Sequence, residues 1–330
     1  MTPNERVVFE ILANKFWPGP VTFVVRANTD KILPIIRNNT PYVGLRVPDD
    51  PTALALIREA GVPIAAPSAN RYQRVSPVSA DDVYDDYRGL GIFMPILKGT
   101  DNKKRVGIES SIVMIQEVEG IVHLTILRAG AITVINLIVA LEGMCDIPYD
   151  VVAKCNDVNG STIPVSAPGQ DILHYSPQNA TTYLGTTDSI DRVGSIDRVG
   201  SIDRVGSIDR VGSIDRVGSI DRVGSIDRVG SIDRVGSIDR AKSVLIATDT
   251  IVREHGGKYQ TCFILPSMSK ESALVLYSVM RKADAYCKES DAVNIVICTK
   301  GISGNVDCGL LEAIEDKVKR ATAENPSINV

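Results

Sequence analysis

The stretch FWPGPVTFVVR, residues 16–26, decides how the first half of the chain is interpreted. Pro18, Gly19 and Pro20 predict a tight, rigid turn, because proline restricts φ and glycine accepts conformations that other residues avoid. The β-branched run Val21–Arg26 that follows is typical of a strand. A turn that leads directly into such a run indicates the beginning of a sheet.

Strands and helices alternate outward from this turn as far as residue 165. Helices are predicted to begin at three side chains that can accept backbone hydrogen bonds, namely Asp50, Ser79 and Thr133. The first of these helices is expected to end at Gly61. Between the helices the sequence predicts five further strands, at Val43–Val47, Ile64–Ala66, Ile92–Leu97, Ile112–Ile115 and Leu124–Arg128. This alternation predicts an α/β domain over residues 1–155.

A second, smaller α/β domain is predicted over residues 181–330. Residues 156–180 have the Pro, Ser, Asn and Gly content of a linker. Strands are expected at Thr181–Leu184, Ser243–Thr248 and Val293–Cys298. A helix beginning at Ser269 carries Leu276, Met280, Ala283 and Cys287 on one face, and a last helix is expected at Gly309–Ala323.

A tandem repeat interrupts this second domain. From Ser189 to Arg240 the sequence SIDR occurs nine times, joined by Val-Gly, with nine Asp and nine Arg that leave the segment neutral. Disorder, a helix and a hexapeptide β-solenoid all remain open for this composition. A binding array is one explanation of the repeat. We favour an expansion tolerated in a surface loop, because lengthening a loop costs little free energy.

Composition excludes several classes of protein. The 330 residues are enough for about two domains, and 44% apolar with 23% charged residues is typical of a globular protein. Apolar stretches such as Ala131–Leu141 fall short of the ~20 residues that a membrane span needs. The net charge of −4 argues against a strongly basic nucleic-acid face. Six cysteines without a CxxC pair argue against a zinc site and favour small buried side chains in a reduced, cytoplasmic chain.

Polar and charged residues near the predicted strand ends form the candidate site, because ligands of α/β sheets bind there. Arg46 and Arg128 each offer a planar fork for a carboxylate or phosphate. Neutral donors and acceptors come from Ser68, Asn70, Ser76 and Ser110. Together these residues suit an anionic nucleotide beside an amino acid. Each of them also has a structural explanation: an internal ion pair for the arginine, a turn for Ser68 and Asn70, and a strand edge for Ser110.

Six segments, in this order and spacing, resemble the threonylcarbamoyl-AMP synthase (YrdC-type) family in its two-domain form. The resemblance is carried by Trp17–Thr22, Gly44–Pro48, Ala65–Asn70 with Ser76-Pro77, Gly107–Ser111, Leu127–Thr133, and a linker of the form PGxxxxHYxP at Pro168–Pro177. It implies a twisted mixed sheet with helices, followed by a smaller Rossmann-like α/β domain, and a linker that folds over the active site.

The family's activity, as the resemblance implies it, converts L-threonine, bicarbonate or CO2, and ATP into threonylcarbamoyl-AMP. A tRNA threonylcarbamoyl transferase then uses this adenylate to modify tRNA position 37. Mg2+ is expected on the ATP phosphates, with no tightly bound cofactor, no metal ligand and no assigned catalytic side chain in the chain itself. The resemblance places Ser68, Asn70, Ser76, Arg128, His174 and Tyr175 at ATP, and Arg46, Ala66 and Ser110 at threonine.

The sequence also departs from the family. A TxYGL strand–turn and a Lys-x-Arg-Pro segment that binds ATP phosphates are expected before the Trp17 turn and are not in the sequence, and Ala129 and Ser111 replace Pro and Thr. We therefore expect weak or no activity from this chain alone. The alternative is a residual nucleotide- or double-stranded-RNA-binding module. The acidic balance argues against strong RNA binding, so any tRNA contact is expected to be indirect or weak, and no membrane partner is expected. A third possibility is an interaction protein that works through the repeat.

Overall fold

The computed structural model describes residues 1–91, 94–99, 106–153, 176–184, 239–303 and 308–322. It divides into two compact units: a first unit of Met1–Ser176, Met268–Ser278 and Ile302–Val330, and a second of Pro177–Ser267 and Val279–Gly301. His174 and Tyr175, most of the predicted linker and the repeat up to residue 238 lie outside the described residues. The boundaries 1–155, 156–180 and 181–330 stay a prediction.

The first unit contains a five-stranded mixed sheet. Its strands are β1 (Val21–Arg26), β2 (Tyr42–Leu45), β3 (Ser111–Val118), β4 (Ile121–Arg128) and β5 (Tyr149–Ala153). They lie in the order β2-β1-β3-β4-β5. The β1/β2 and β3/β4 pairs are antiparallel, while β1/β3 and β4/β5 are parallel. The predicted mixed α/β sheet is therefore confirmed.

Three of the four helices before residue 150 begin at the predicted capping residues. The four are α1 (Pro3–Phe16), α2 (Pro51–Ala60), α3 (Ala80–Tyr87) and α4 (Val134–Leu141). Asp50, Ser79 and Thr133 each accept a hydrogen bond from a first-turn amide, and Gly61 ends α2 in the left-handed region at φ 65°. Helix α1 begins with a capping box between Thr2 and Glu5.

The core of the first unit lies between the sheet and helices α1 and α4. Val8 and Leu12 of α1 and Leu137 of α4 are fully buried against strand residues such as Leu124. An aromatic trio of Phe9, Trp17 and Phe23 joins this core, with ring centroids 5.3 to 5.9 Å apart. The Trp17 indole donates a 2.9 Å hydrogen bond to the Val21 carbonyl. The turn at 16–20 is thus fixed by aromatic packing.

Two predicted strands are wrong. Residues 64–66 form an exposed loop, and residues 94–97 have no regular structure, while 92 and 93 lie outside the described residues. A strand needs a hydrogen-bonded neighbour, and the described sheet ends at β2 without pairing to either segment. Ile64 is accordingly 42% exposed and does not join the core.

The second unit contains a four-stranded sheet in which every pairing is parallel. Its strands are β6 (Ala180–Leu184), β7 (Ser243–Thr248), β8 (Thr261–Leu265) and β9 (Asn294–Cys298), in the order β6-β9-β7-β8. Helix α5 (Asp249–His255) follows β7. All six residues of β7 are buried, as expected for a parallel strand covered on both faces. The predicted Rossmann-like α/β arrangement is confirmed.

Two longer helices complete the described chain. Helix α6 (Ser269–Glu289) begins in the first unit and its last part, from Val279, belongs to the second. Helix α7 (Cys308–Thr322) belongs to the first unit. In the second unit, the buried Asp284 carboxylate accepts hydrogen bonds from the amides of Gln178 and Asn179 at 2.7 and 3.0 Å. Asp284 thereby fixes the chain just before β6.

Four cysteines of the described region form no disulfide bond. Cys287 and Cys298 are buried, and Cys145 and Cys262 are half-buried. Burial raises the pKa of the Cys262 thiol, and burial with the nearby charge of Asp284 raises that of Cys287. The Cys262 and Cys287 thiols therefore remain protonated at neutral pH and behave as small apolar side chains. Over the same residues, we find no helix with both the length and the apolarity that a bilayer crossing requires.

Candidate functional site

The candidate site begins with a row of residues that crosses the first sheet. Strand register pairs Thr22 with Ile112 and Ile112 with Arg128. On the other side of β1, Leu45 pairs with Phe23, so the next residue, Arg46, falls beside Thr22 at the end of β2. Two arginines that are distant in sequence therefore flank the same row.

Arg128 holds Ser110 with its planar fork. Its Nε and Nη2 donate to the Ser110 carbonyl at 3.0 and 2.9 Å, and Nη2 also reaches the Ser110 hydroxyl at 3.1 Å. The same hydroxyl lies 3.0 Å from the Thr22 Oγ1 atom. Ser110 is 3% exposed, and its position is fixed by Arg128 on one side and Thr22 on the other. Part of the Arg128 donor capacity is used in organising the site.

Arg46 is positioned by the turn at residues 16–20. Its Nε donates to the Gly19 carbonyl at 3.2 Å, while the Gly19 amide donates to Val47. No larger residue fits at 19, because a Cβ atom there would lie 2.1 Å from the Phe16 carbonyl oxygen. The turn that begins β1 thus also places the Arg46 side chain.

The two arginines affect each other electrostatically. Desolvation lowers the pKa of Arg46, and the positive charge of Arg128 lowers it further. Arginine nevertheless stays protonated at neutral pH. An anionic ligand between or beside two neighbouring positive charges would lower their mutual repulsion.

Ser76 is joined to this cluster through Glu109, the neighbour of Ser110. The Ser76 hydroxyl donates to the Glu109 Oε1 atom at 2.6 Å, and the Tyr277 hydroxyl donates to Oε2 at 2.6 Å. Both oxygens of the carboxylate are therefore engaged, which defines its orientation. All three residues belong to the first unit.

Asn70 mainly closes its own loop. Its Nδ2 donates to the carbonyls of Arg71 and Arg74 at 3.0 and 3.2 Å. Its Oδ1 atom is buried and lacks a hydrogen-bond partner within the described chain. The loop is further tied by the Ser176 amide, which donates to the Gln73 carbonyl at 2.9 Å. The turn predicted for Asn70 is present, and no described residue donates a hydrogen bond to its side-chain Oδ1 atom.

The structure brings together some predicted site residues and not others. Arg46, Ser110 and Arg128 form one cluster, and Ser76 is linked to it through Glu109. Ala66 and Ser68 lie on an exposed loop, and no hydrogen bond described here links Ser68 to the arginines. His174 and Tyr175 lie outside the described residues. The binding role of each of these side chains stays a prediction.

Two residues near the site were not predicted from the sequence. Tyr277 is 2% exposed, and it lies next to Leu276 on the buried face of α6. Lys317 is fully buried, and its Nζ donates to the Ala129 carbonyl at 3.0 Å. Burial lowers the pKa of Lys317, which the nearby Asp316 charge partly opposes. The sequence does contain a signal for the burial of Lys317. Leu310, Ile314, Lys317 and Ala321 follow one another at spacings of 4, 3 and 4 residues, which places Lys317 on an apolar helix face.

A separate hollow lies beside the first turn of α2. Its volume is about 230 Å³, and it is lined by Asp50, Thr52, Ala53, Leu56, Leu97 and Gly99. Its lining includes none of the predicted site residues. Elsewhere in the described ranges, no group of three or more His, Cys, Asp and Glu side chains is arranged to hold a metal ion.

Comparison with known families supports the interpretation of both halves. A family model described as Telomere recombination matches residues 3–130. A second model, described as Threonylcarbamoyl-AMP synthase, C-terminal domain, matches residues 139–323, which is more than half of the chain. The two matches follow one another and together cover most of the sequence.

Curated relatives carry the same name. The threonylcarbamoyl-AMP synthase of Bacillus subtilis is 35% identical over 166 residues, covering 50% of this chain and 43% of the relative. That of Schizosaccharomyces pombe is 37% identical over 175 residues, covering 52% and 40%. That of Pyrococcus abyssi is 33% identical over 184 residues, covering 56% and 49%. The matched region thus spans less than half the length of each of these relatives.

A solved structure shares the fold. The crystal structure of P. abyssi Sua5 complexed with L-threonine superposes with a TM-score of 0.59 and 22% identity, over 95% of this chain and 73% of that one. The likeness extends over both sheets that the described residues form. The two consecutive family matches show that the chain belongs to the threonylcarbamoyl-AMP synthase family, in its two-domain form.

Proposed function

We propose that the cluster around Arg46, Ser110 and Arg128 binds L-threonine and ATP and forms L-threonylcarbamoyl-AMP with bicarbonate or CO2. The observation that carries this proposal is that two arginines flank one row of the sheet, with a buried serine held by Arg128 and Thr22 in that row. The reaction brings together a carboxylate, a carbamate and a triphosphate. Positive charges placed in advance are what such a set of anions requires.

Threonine is assigned to the Arg46 side of the cluster. A guanidinium suits the amino-acid carboxylate, and the Ser110 hydroxyl suits either the carboxylate or the threonine hydroxyl. The relative solved with L-threonine supports threonine as the amino acid. Ala66 stays a proposed contact on the loop before Asn70.

ATP is assigned to the Arg128 side. Arg128 suits a phosphate, and Ser76 and Asn70 offer polar atoms for the nucleoside, with Ser68, His174 and Tyr175 as further proposed contacts. The unpartnered Asn70 carbonyl oxygen suits a donor on the ligand, such as an amino group or a ribose hydroxyl. Mg2+ would arrive on the ATP phosphates, because this ion keeps most of its waters and binds through substrate oxygens.

The chemistry then follows from positioning. The threonine amine adds to CO2 and loses one proton to water, or condenses with bicarbonate with loss of water, and either route gives a carbamate anion. A carbamate oxygen attacks the α-phosphorus of ATP, the bond to the β-phosphate oxygen breaks, and pyrophosphate leaves. We propose that the arginines keep these anions close without mutual repulsion, while the product passes to a tRNA threonylcarbamoyl transferase in the cytoplasm. Direct contact with tRNA is proposed to be weak at most.

The test is product formation by the full chain. L-threonine, bicarbonate and MgATP are supplied together, and threonylcarbamoyl-AMP and pyrophosphate are measured by mass spectrometry and a coupled assay. The proposal expects both products, at a low rate from this chain alone, only when all three substrates are present. Pyrophosphate that does not depend on threonine would contradict it. Binding of ATP without any adenylate would instead support a nucleotide-binding module that does not carry out synthesis.

A further inference from the structure

Tyr277 lies within the nucleotide side of the candidate site although it comes from α6, far from the six family segments in sequence. Its hydroxyl donates to Glu109 at 2.6 Å, and the other Glu109 oxygen accepts from Ser76 at 2.6 Å. Because one carboxylate oxygen is bonded to each hydroxyl, the plane of the Glu109 carboxylate is fixed relative to Ser76 and Tyr277. The orientation of Ser76 therefore depends on a residue more than 160 positions away in the sequence.

The contact between α6 and this loop is built into the backbone. Gly107, two residues before Glu109, has φ +83°, a conformation that L-residues rarely adopt. A Cβ at Gly107 would lie 2.1 Å from the Ala273 carbonyl oxygen and 2.2 Å from the Leu274 Cα. The loop and the first turns of α6 thus touch through main-chain atoms, and no side chain separates them. This second observation is independent of the hydroxyl–carboxylate bond.

From these contacts we infer that Tyr277 is a positioning residue for nucleotide binding, acting through Glu109 on Ser76. The inference rests on the proposed function, because Ser76 is assigned there to ATP. The Ser76 hydroxyl donates its proton to Glu109, so toward a ligand the serine oxygen can act only as an acceptor. Ser76 then suits a donor group of the nucleoside, such as the adenine amino group or a ribose hydroxyl, better than a phosphate oxygen.

Threonine affinity should not depend on Tyr277. Ser110, on the threonine side, is held by Arg128 and Thr22 and has no described bond to Tyr277. Loss of the tyrosine hydroxyl would free one oxygen of Glu109 and leave the Arg128 fork in place. The structure therefore predicts that the two ligands respond differently.

The test compares Tyr277→Phe with Tyr286→Phe, the same change on the same helix, where the ring packs edge-on against Phe263. Dissociation constants for MgATP and for L-threonine are measured by calorimetry on the full chain, with unfolding midpoints alongside. We expect Tyr277→Phe to weaken ATP binding about tenfold, the usual effect of losing a hydrogen bond to a charged group, with threonine binding unchanged. Tyr286→Phe should change neither constant. Unaltered ATP affinity in Tyr277→Phe, or an equal loss for both ligands, would overturn the inference.

A double-variant cycle tests the route through Ser76. If Tyr277 acts through this serine, Tyr277→Phe combined with Ser76→Ala should bind ATP no more weakly than Ser76→Ala alone. Fully additive losses would show that Tyr277 acts elsewhere. Should Tyr277→Phe not fold, Glu109→Ala removes both acceptors of the same network, and the same contrast between ATP and threonine is expected.

Failure of the inference and failure of the proposed function can be told apart. The cycle measures binding, so it remains decisive if the wild-type chain binds ATP without making the adenylate. A wild-type chain that makes the adenylate while Tyr277→Phe binds ATP normally would overturn the inference alone. A wild-type chain that binds neither MgATP nor L-threonine would overturn both.

Discussion

Replacing Gly130 with alanine should disrupt the site through the backbone alone. Gly130 follows the Arg128 strand and packs directly on the segment that carries Glu109 and Ser110. An added Cβ would lie 2.5 Å from the Ser111 amide nitrogen, 2.7 Å from the Glu109 carbonyl oxygen and 2.9 Å from the Ser110 carbonyl carbon. All three atoms belong to the main chain, so rotation of a side chain cannot relieve the contact.

The magnitude follows from these distances. Ordinary contact begins at 3.4 Å, so the two segments must separate by about 0.9 Å. Overpacking of this kind costs about 1–3 kcal/mol, and rigid backbone on every side places Gly130→Ala near the upper end. A separation of that size would also take the Arg128–Ser110 hydrogen bonds, now 2.9 to 3.1 Å, beyond bonding range.

Urea unfolding and ligand binding measure the two effects. We expect Gly130→Ala to lose about 3 kcal/mol of unfolding free energy and to bind both L-threonine and MgATP more than tenfold more weakly. Gly89→Ala is the matched control, because a Cβ there meets nothing within 4 Å. If Gly130→Ala unfolds within about 0.5 kcal/mol of wild type and binds normally, the close packing described here is incorrect.

Three further changes have separate outcomes. Arg128→Lys keeps the charge but loses the fork, so ATP affinity measured by calorimetry should fall about tenfold; an unchanged constant would contradict its role. Burial acts to raise the pKa of Asp316, but the hydrogen bond and charge of Arg320 and a neighbouring lysine together lower it. The ionised Asp316 carboxylate therefore stabilises the fold above its unfolded pKa of about 3.9, and this stabilisation is lost as pH falls through the lower folded pKa. Asp316→Asn should accordingly make the free energy of unfolding fall less steeply as the pH is lowered. Identical pH profiles for the variant and the wild type would refute this. Asp284→Ala removes the acceptor of the Asn179 amide and should lower the free energy of unfolding in urea by about 1–3 kcal/mol. A loss below about 0.5 kcal/mol would show that Asp284 does not fix the chain before β6.

Local signals in the sequence predicted much of the fold. The caps at Asp50, Ser79 and Thr133 depend on neighbouring residues only, and each helix begins there. The same kind of local signal, Thr2 with Glu5, marks the beginning of helix α1. The strand predicted at 64–66 is wrong, because strand formation depends on a partner that a short apolar run does not specify.

Sequence patterns predicted the part of the candidate site whose residues lie near strand ends. Arg46, Ser110 and Arg128 come together because register across the sheet aligns them. Tyr277 and Lys317 were missed, since their contacts with Glu109 and Ala129 span more than 160 residues of sequence. A buried tyrosine hydroxyl and a lysine on an apolar helix face each require a polar partner, and that requirement is the signal available in the sequence.

The most direct test of the central claim is a crystal structure of the chain with L-threonine and a non-hydrolysable ATP analogue. We expect the threonine carboxylate within hydrogen-bond distance of Arg46, with Ser110 beside it and a phosphate of the analogue on Arg128. Both ligands would then share one site on the first sheet. Ligands bound elsewhere, for example in the hollow beside α2, with neither arginine in contact, would contradict the assignment of this cluster as the synthase site.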